Sequence, residues 1–181
     1  MEDSLLSAEI SRPNPERIYV IHEAFRRGWD VERVHSLCRI DRYFLRHLHE
    51  LASFEDEITA AKTLKKFSAD KALFRQAKEF GYSDRQIAYL LKCPEEAVFQ
   101  ARRSAGILPV YSLVDTCAGE FRAVTPYYYS TYGATRDEVK PDPSRKTIMI
   151  LGGGPNRIGQ GIEFDYCCCH AAYALEAKGY E

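Results

Sequence analysis

No apolar run in this 181-residue chain approaches the ~20 residues needed to cross a bilayer. An excess of one charge is also missing. The 25 Lys and Arg face 26 Asp and Glu, giving a net charge of -1. A general binder of nucleic acid or anionic membrane would carry a basic surplus, so neither partner is expected. The first ten residues hold acids where a secretory leader would place a positive segment and an apolar stretch, and a cytoplasmic location is expected. Six cysteines are present, but 167–169 are consecutive and the others lie far apart. That excludes the spaced framework of a small disulfide-rich domain and the Cys-x-x-Cys pairs of a zinc site, leaving buried reduced thiols as the expectation. What remains, 45% hydrophobic and 28% charged residues, is ordinary globular composition in a length that suits one domain and part of another.

Residues 14–106 read as helices separated by caps. Asn14-Pro15 offers an N-cap and a first helical proline, followed by Ile18, Ile21, Ala24 and Phe25 on one face and a left-handed stop at Gly28. Asp30 caps a second helix with Val31, Val34, Leu37 and Cys38 inward. Asp41 caps a longer third, with Phe44, Leu48, Leu51 and Ile58 along a stripe. Ser68 opens a fourth, carrying Leu73, Phe74 and Ala77 to a stop at Gly81. Ser83 to Gln86 matches the capping box, in which hydroxyl and amide side chains satisfy free amides reciprocally. Cys93-Pro94-Glu95-Glu96 opens a sixth helix that ends near Gly106, and no strand-like alternation occurs before residue 107.

A weak repeat runs through this half at an offset of 53 residues. Gly28-Trp29-Asp30 returns as Gly81-Tyr82-Ser83, and Val34 and Leu37 return as Ile87 and Leu90. Two similar helical subunits sharing one core are expected. Residues 107–144 are then a Pro- and Tyr-rich connector, including Leu108-Pro109-Val110-Tyr111 and Thr125 to Tyr132. So much aromatic surface argues for an extended strap lying on a domain.

Lys146 to Leu151 changes character: a short continuous apolar run, as in a buried parallel strand. A glycine-rich turn, Gly152 to Gly161, follows, and then a helix from Ile162 to Lys178 ended by Gly179. This is the opening strand, loop and helix of an open α/β sheet, and the sequence stops where a second strand is expected. The loop, with Gly152, Gly153, Gly154, Asn156, Arg157, Gly159 and Gly161, could present amides to an anion at a helix N-terminus. It fails both familiar nucleotide patterns: Gly-x-Gly-x-x-Gly puts Arg157 where the third glycine belongs, and Gln160 stands where Walker A needs lysine. A tight turn without ligand is the plain alternative.

The stretch from Gly152 through Tyr166 into the cysteines closely resembles the start of the second synthetic half of the large subunit of glutamine-dependent carbamoyl-phosphate synthase. Arg17-Ile-Tyr with Ala24-Phe-Arg, Ile40 to Leu45, Val114 to Phe121 and Tyr129 to Tyr132 resemble that family too, in its order. The resemblance covers residues 12–181. It implies a mainly α chain: a helical oligomerisation-type domain core over 1–106, a connector over 107–144 belonging to it, and at 145–181 the first βα unit of a Rossmann-like pre-ATP-grasp domain.

The resemblance further implies an ATP-dependent ligase making carbamoyl phosphate for arginine and pyrimidine synthesis from bicarbonate, glutamine-derived ammonia and two ATP. Its cofactors are ATP, magnesium or manganese, and potassium. Both ATP-grasp modules are absent from these 181 residues, so the chain is expected to bind none of these cofactors, to hold no catalytic residue or metal, and to be inactive alone. The implied partners are the rest of the large subunit, a glutamine amidotransferase subunit or domain, and further copies of the chain.

In the family, the loop matching Gly159 to Glu163 lines the passage that carries carbamate, which points to Gly161 and Glu163. Glycines leave room beside the backbone, a carboxylate can accept from an amide-bearing intermediate, and enclosure keeps water away. Acids offsetting a helix dipole are the plain reading of Glu163 and Asp165, and Arg157 suits an anion or an interface ion pair equally. Asp115-Thr116-Cys117 and Glu120 resemble structural residues, because no base stands beside the thiol. His47 and His49, two apart on a helix, point away from each other. Two alternatives belong to other classes. Residues 83–106 have helix-turn-helix lengths, though Glu95 and Glu96 fall where phosphates would approach, and the helical half could instead be a self-associating assembly module.

Overall fold

The computed structural model describes residues 2–124, 127–139, 142–151 and 162–181, without the side chains of 162–165. Within them the helices are α1 (Asp3–Ser11), α2 (Arg17–Arg26), α3 (Val31–Cys38), α4 (Arg42–Ala60), α5 (Leu64–Ala69), α6 (Lys71–Glu79), α7 (Asp84–Leu91), α8 (Glu95–Ser104) and α9 (Ile162–Glu176). The strands are β1 (Val110–Leu113) and β2 (Tyr128–Thr131). Contacts divide the chain into two units, Met1–Glu138 and Val139–Glu181.

Short polar side chains set the helix starts by accepting from amides that have no partner inside the helix. Asp30 accepts from Arg33 N, Asp41 from Tyr43 N, Thr63 from Lys66 N and Asp70 from Leu73 N. Ser83 and Gln86 complete the expected capping box at α7. Two expected starts move. Asn14 turns its amide onto the Arg12 carbonyl instead of capping, so α2 begins at Arg17. Ser68 lies inside α5 with its hydroxyl on the Lys65 carbonyl, and Asp70 caps the next helix in its place. Helix α1, which nothing in the sequence reading anticipated, buries Leu6 and Ile10 completely.

The 53-residue repeat is a repeat of structure. Helix α3 maps onto α7 residue for residue, and the first residue of α4 maps onto that of α8. Gly28 and Gly81 both take positive φ, at 81° and 89°. After each, Trp29 N donates to Ala24 O and Tyr82 N to Ala77 O, the long backbone bond that closes a Schellman turn. Arg39 and Lys92, also 53 apart, end α3 and α7 in the left-handed conformation. Buried positions correspond throughout: Ile21 with Phe74, Ala24 with Ala77, Trp29 with Tyr82, Val34 with Ile87, and Leu45 with Val98. No atom lies within 4 Å of where a Cβ on Gly28 or Gly81 would sit. Alanine at either is therefore expected to cost only backbone strain, about 1 kcal/mol in urea unfolding.

The single shared core is not what forms. One cluster gathers Leu6, Ile10, Ile21, Ala24, Phe25, Trp29, Val34, Leu45 and Ala52. A second gathers Phe54, Ile58, Phe67, Phe74, Ala77, Tyr82, Ile87, Ala88, Leu91, Val98 and Ile107. Helix α4 serves both. At about 100° per residue, Ala52 and Phe54 point roughly 200° apart, so the two clusters sit on opposite sides of that helix. This explains why the single expected stripe is misplaced: Leu45 is buried while Phe44 is 60% exposed and edge-on to Tyr43. Ile18, expected inward on α2, is 50% exposed.

The connector forms a small antiparallel sheet with Val110 opposite Thr131 and Leu113 opposite Tyr128. The other edge of β1 is also covered. Asp137 accepts from Tyr111 N, Glu138 N donates to Tyr111 O, and the Glu138 carboxylate accepts from Leu113 N. Asp115 accepts from Cys117 N and Gly119 N, which makes the Asp115–Gly119 stretch a side-chain-braced turn.

In the second unit the apolar run after Lys146 is not assigned as a strand and stays accessible, with Met149 at 81% and Leu151 at 86% exposure. It makes one fragment of a ladder: Glu181 N donates to Lys146 O at 2.9 Å, and Ile148 N to Glu181 O at 2.8 Å. Both bonds running between one residue and the two neighbours of its opposite is the parallel arrangement. Helix α9 makes the return path and ends in a Schellman turn at Gly179, where Tyr180 N donates to Leu175 O.

Candidate functional site

The glycine loop carries most of the residues singled out by sequence. Gly152, Gly153, Gly154, Asn156, Arg157, Gly159 and Gly161 lie outside the described residues. Glu163 and Asp165 fall in the first turn of α9, their side chains also outside the description. Within the described part of this unit, Ile148 and Ile150, alternate residues of the apolar run, line an open groove of about 850 Å³ with Ala172 and Leu175 of the C-terminal half of α9. Arg145 pairs with the Glu181 carboxylate at the groove's rim. This is one strand-like run and one helix, with the face between them uncovered.

The thiols differ from expectation. All six cysteines are free and none is buried; Cys167 and Cys169 on α9 are exposed, and the others are half-buried. The buried-thiol expectation fails on α9 because nothing described covers its sides. Burial pushes the Cys93 thiol up from its ordinary value, the reverse of what activates a nucleophile. His47 pairs with Glu50 at 3.3 Å, and the His49 ring packs edge-on to Phe25 at 5.0 Å. Among the described residues no three His, Cys, Asp or Glu side chains come together as metal ligands.

Sequence reading missed a nearly buried charge cluster. Lys78, Asp84 and Arg102, from α6, α7 and α8, meet in the second repeat, with Lys78 and Arg102 each only 7% exposed. Asp84 Oδ1 accepts from Lys78 Nζ at 2.8 Å, and Oδ2 from Arg102 Nη2 at 2.9 Å and Nε at 3.0 Å. Lys78 also donates to Tyr82 O, and Arg102 Nη1 to Ile107 O. Burial raises the Asp84 carboxyl, but the hydrogen bonds from Arg102 and Lys78 outweigh it and hold the group below the usual carboxylate range. No local pattern marks this cluster, because its members are 6 and 18 residues apart and each alone reads as surface charge.

Between the repeats, His22, Leu51, Glu55, Phe80, Tyr82 and Gln86 line a small cleft of about 150 Å³. Glu55 pairs with His22 at 3.2 Å and Arg26 at 3.4 Å, joining α2 to α4. The Tyr82 hydroxyl donates to the Leu51 carbonyl of α4. Burial, helped by the Glu55 charge, pushes its phenol up to about 12. The neutral phenol is therefore favoured in the fold. Its contribution is fully present below the ordinary tyrosine value near 10 and is lost as pH rises towards 12. Burial also raises the Tyr132 phenol, so two tyrosines are expected to titrate late in an ultraviolet difference spectrum, and Tyr82→Phe should remove the component near 12.

The helix-turn-helix alternative meets a direct obstacle. Glu95 and Glu96 stand exposed at the head of α8, and Arg102 behind them is consumed by Asp84. No helix among the described residues is long and apolar enough to cross a membrane.

The described residues thus define a two-repeat helical domain with a braced hairpin connector, followed by the opening of a parallel α/β segment. The family profile described as "Carbamoyl-phosphate synthetase large chain, oligomerisation domain" matches residues 1–106, and that described as "Carbamoyl phosphate synthase preATP-grasp domain" matches 144–181. The chain is 52% identical over 178 residues to the carbamoyl phosphate synthase large chain of Synechocystis sp., covering 98% of this chain and 16% of that protein. It is 51% identical over 172 residues to that of Thermotoga neapolitana, covering 95% and 15%, and 44% identical over 170 residues to that of Archaeoglobus fulgidus, covering 93% and 16%. The chain belongs to the carbamoyl-phosphate synthetase large-chain family. It spans about 16% of the length of the first curated relatives it matches.

Proposed function

We propose that this chain serves as the linking segment of a large chain that makes carbamoyl phosphate, and that it turns over no substrate alone. The support is 52% identity to a large chain along 98% of this chain, together with two family profiles matched in order, a helical one and then an α/β one. In this reading ATP phosphorylates bicarbonate to carboxyphosphate, ammonia displaces phosphate to give carbamate, and a second ATP phosphorylates carbamate, all on sequence outside these 181 residues. ATP, magnesium or manganese, and potassium would bind there as well. The helical repeats supply a scaffold towards the rest of the large chain, an ammonia-supplying amidotransferase and further copies of the chain, in the cytoplasm. Residues 107–144 carry the connection, and residues 145–181 begin the next α/β domain. Gly161 and Glu163 line part of the route taken by carbamate, with Gly152, Gly153, Gly154, Asn156, Arg157 and Gly159 forming the bend before it.

A hybrid tests this. Replacing the matching stretch of the Synechocystis large chain with this chain should leave carbamoyl phosphate synthesis working, while the isolated chain should release no ADP from ATP and bicarbonate. Glu163→Gln in the hybrid should cut carbamoyl phosphate output by roughly tenfold, equivalent to about 1.4 kcal/mol, while bicarbonate-dependent ATP hydrolysis continues. A hybrid that folds but makes no product sinks the linking role. Unchanged output from the Glu163→Gln hybrid sinks the passage assignment alone.

A further inference from the structure

The cluster of Lys78, Asp84 and Arg102 holds two cations and one carboxylate, so its buried charge does not cancel. Its sister repeat does without it. At the same offset the first repeat places Phe25, Val31 and His49, and builds the same glycine-stopped turn from an edge-on aromatic contact and an aliphatic side chain. The fold of the repeat therefore does not require the charges. One feature does distinguish the second repeat at this point: it carries a segment of the connector. Tyr132, half-buried just after β2, lies with its ring over Lys78 Nζ at 5.3 Å and over Arg102 Cζ at 5.8 Å. Phe99 of α8 flanks the same guanidinium at 5.3 Å. Tyr132 also packs against the second apolar cluster.

An aromatic face carries partial negative charge and attracts a cation within about 6 Å, more strongly where water is excluded. Asp84 bridges both cations but offsets only one of their two charges, so a net positive charge faces the rings. We infer that Tyr132 is a latch: the uncompensated positive charge of the Lys78–Asp84–Arg102 cluster holds its ring, and through it the connector, against the second repeat. The backbone around the latch explains its reach. Tyr132 directly follows β2, and β2 pairs with β1. The outer edge of β1 takes Asp137 and Glu138, which stand at the end of the first unit. Releasing the ring frees a side chain that ties this hairpin to the cations, and the hairpin's own side-chain hydrogen bonds are at the surface. The second repeat thus fixes how the chain leaves the helical domain, by electrostatics that its sister repeat lacks.

The test varies the ring's charge distribution at constant shape in the full chain, using amide hydrogen exchange. Val114 N, bonded to Tyr127 O, and Glu138 N, bonded to Tyr111 O, report on the connector. Amides in the middle of α4 report on the helical domain. Tyr132→Phe keeps the electron-rich face and should exchange like the parent. Pentafluorophenylalanine at 132 keeps the shape and reverses the face, and it should speed exchange at Val114 and Glu138 by roughly tenfold with α4 unmoved. Tyr132→Leu, with no ring, should do the same. If the fluorinated ring protects as well as Phe, apolar packing holds the strap and the inference falls. It falls equally if Phe opens the connector as far as Leu does, since the hydroxyl would then be the anchor.

Discussion

Asp84→Asn should be the most damaging single polar change in the helical domain, costing about 3 kcal/mol or more. Two nearly buried cations share this carboxylate through four hydrogen-bond contacts. Asparagine keeps the shape but leaves both cations without a counter-charge, and an uncompensated buried charge is what makes breaking such a pair expensive. The intact cluster is not thereby a large source of stability, because desolvating three ions offsets much of their attraction. Replacing all three by apolar residues of similar size should cost far less than Asp84→Asn alone. Urea unfolding of the two variants makes the comparison, and equal losses would show that shape and not charge matters there. The pH dependence follows from the same geometry. Because the folded carboxyl titrates below its ordinary value, its contribution is present above about pH 4 and disappears as pH falls through the lowered value. Asp84→Asn should flatten that part of the acid-stability curve.

Phe74→Ala should cost about 3–5 kcal/mol, and the loss should be confined to one repeat. Phe74 is fully buried, with its ring 4.8 Å from Phe67 inside the second cluster. The first cluster shares no buried residue with it, and α4 contributes buried residues to both. Hydrogen exchange should therefore find α6, α7 and α8 opening in Phe74→Ala while α2 and α3 keep parental protection. Leu45→Ala, in the first cluster, should give the mirror pattern at about 2–5 kcal/mol. If both variants weaken all helices alike, the two clusters unfold as one body in spite of their separation.

Local chemistry was readable wherever it depended on neighbours in the chain. Asp30, Asp41 and Ser83 cap as their sequence contexts require, and Gly28 and Gly81 take the left-handed turn that no other residue adopts as cheaply. The repeat was legible from three consecutive residues, because a stop, a buried aromatic and a cap make a local unit. What depended on tertiary surroundings was not legible. Helix α4 is apolar on two sides, so a one-stripe reading chose Phe44 over Leu45. Asn14 and Ser68 each donate to a backbone carbonyl and cap no helix. Lys78, Asp84 and Arg102 are ordinary surface residue types until three helices bring them together. The apolar run after Lys146 shows the converse: its sequence demands a buried strand, yet burial needs partners, and within residues 142–151 and 162–181 it finds a single ladder residue at Glu181.

Because the two apolar clusters grip α4 from opposite sides, that helix sets the phase between the repeats as a keyed shaft sets two gears. One residue inserted between Ala52 and Phe54 would advance everything after it by roughly 100° and 1.5 Å. Phe54 and Ile58 would swing off the cluster they fill, while Leu45 and Ala52 stayed in place. Lengthening at its midpoint is therefore ruinous to the match between the two halves.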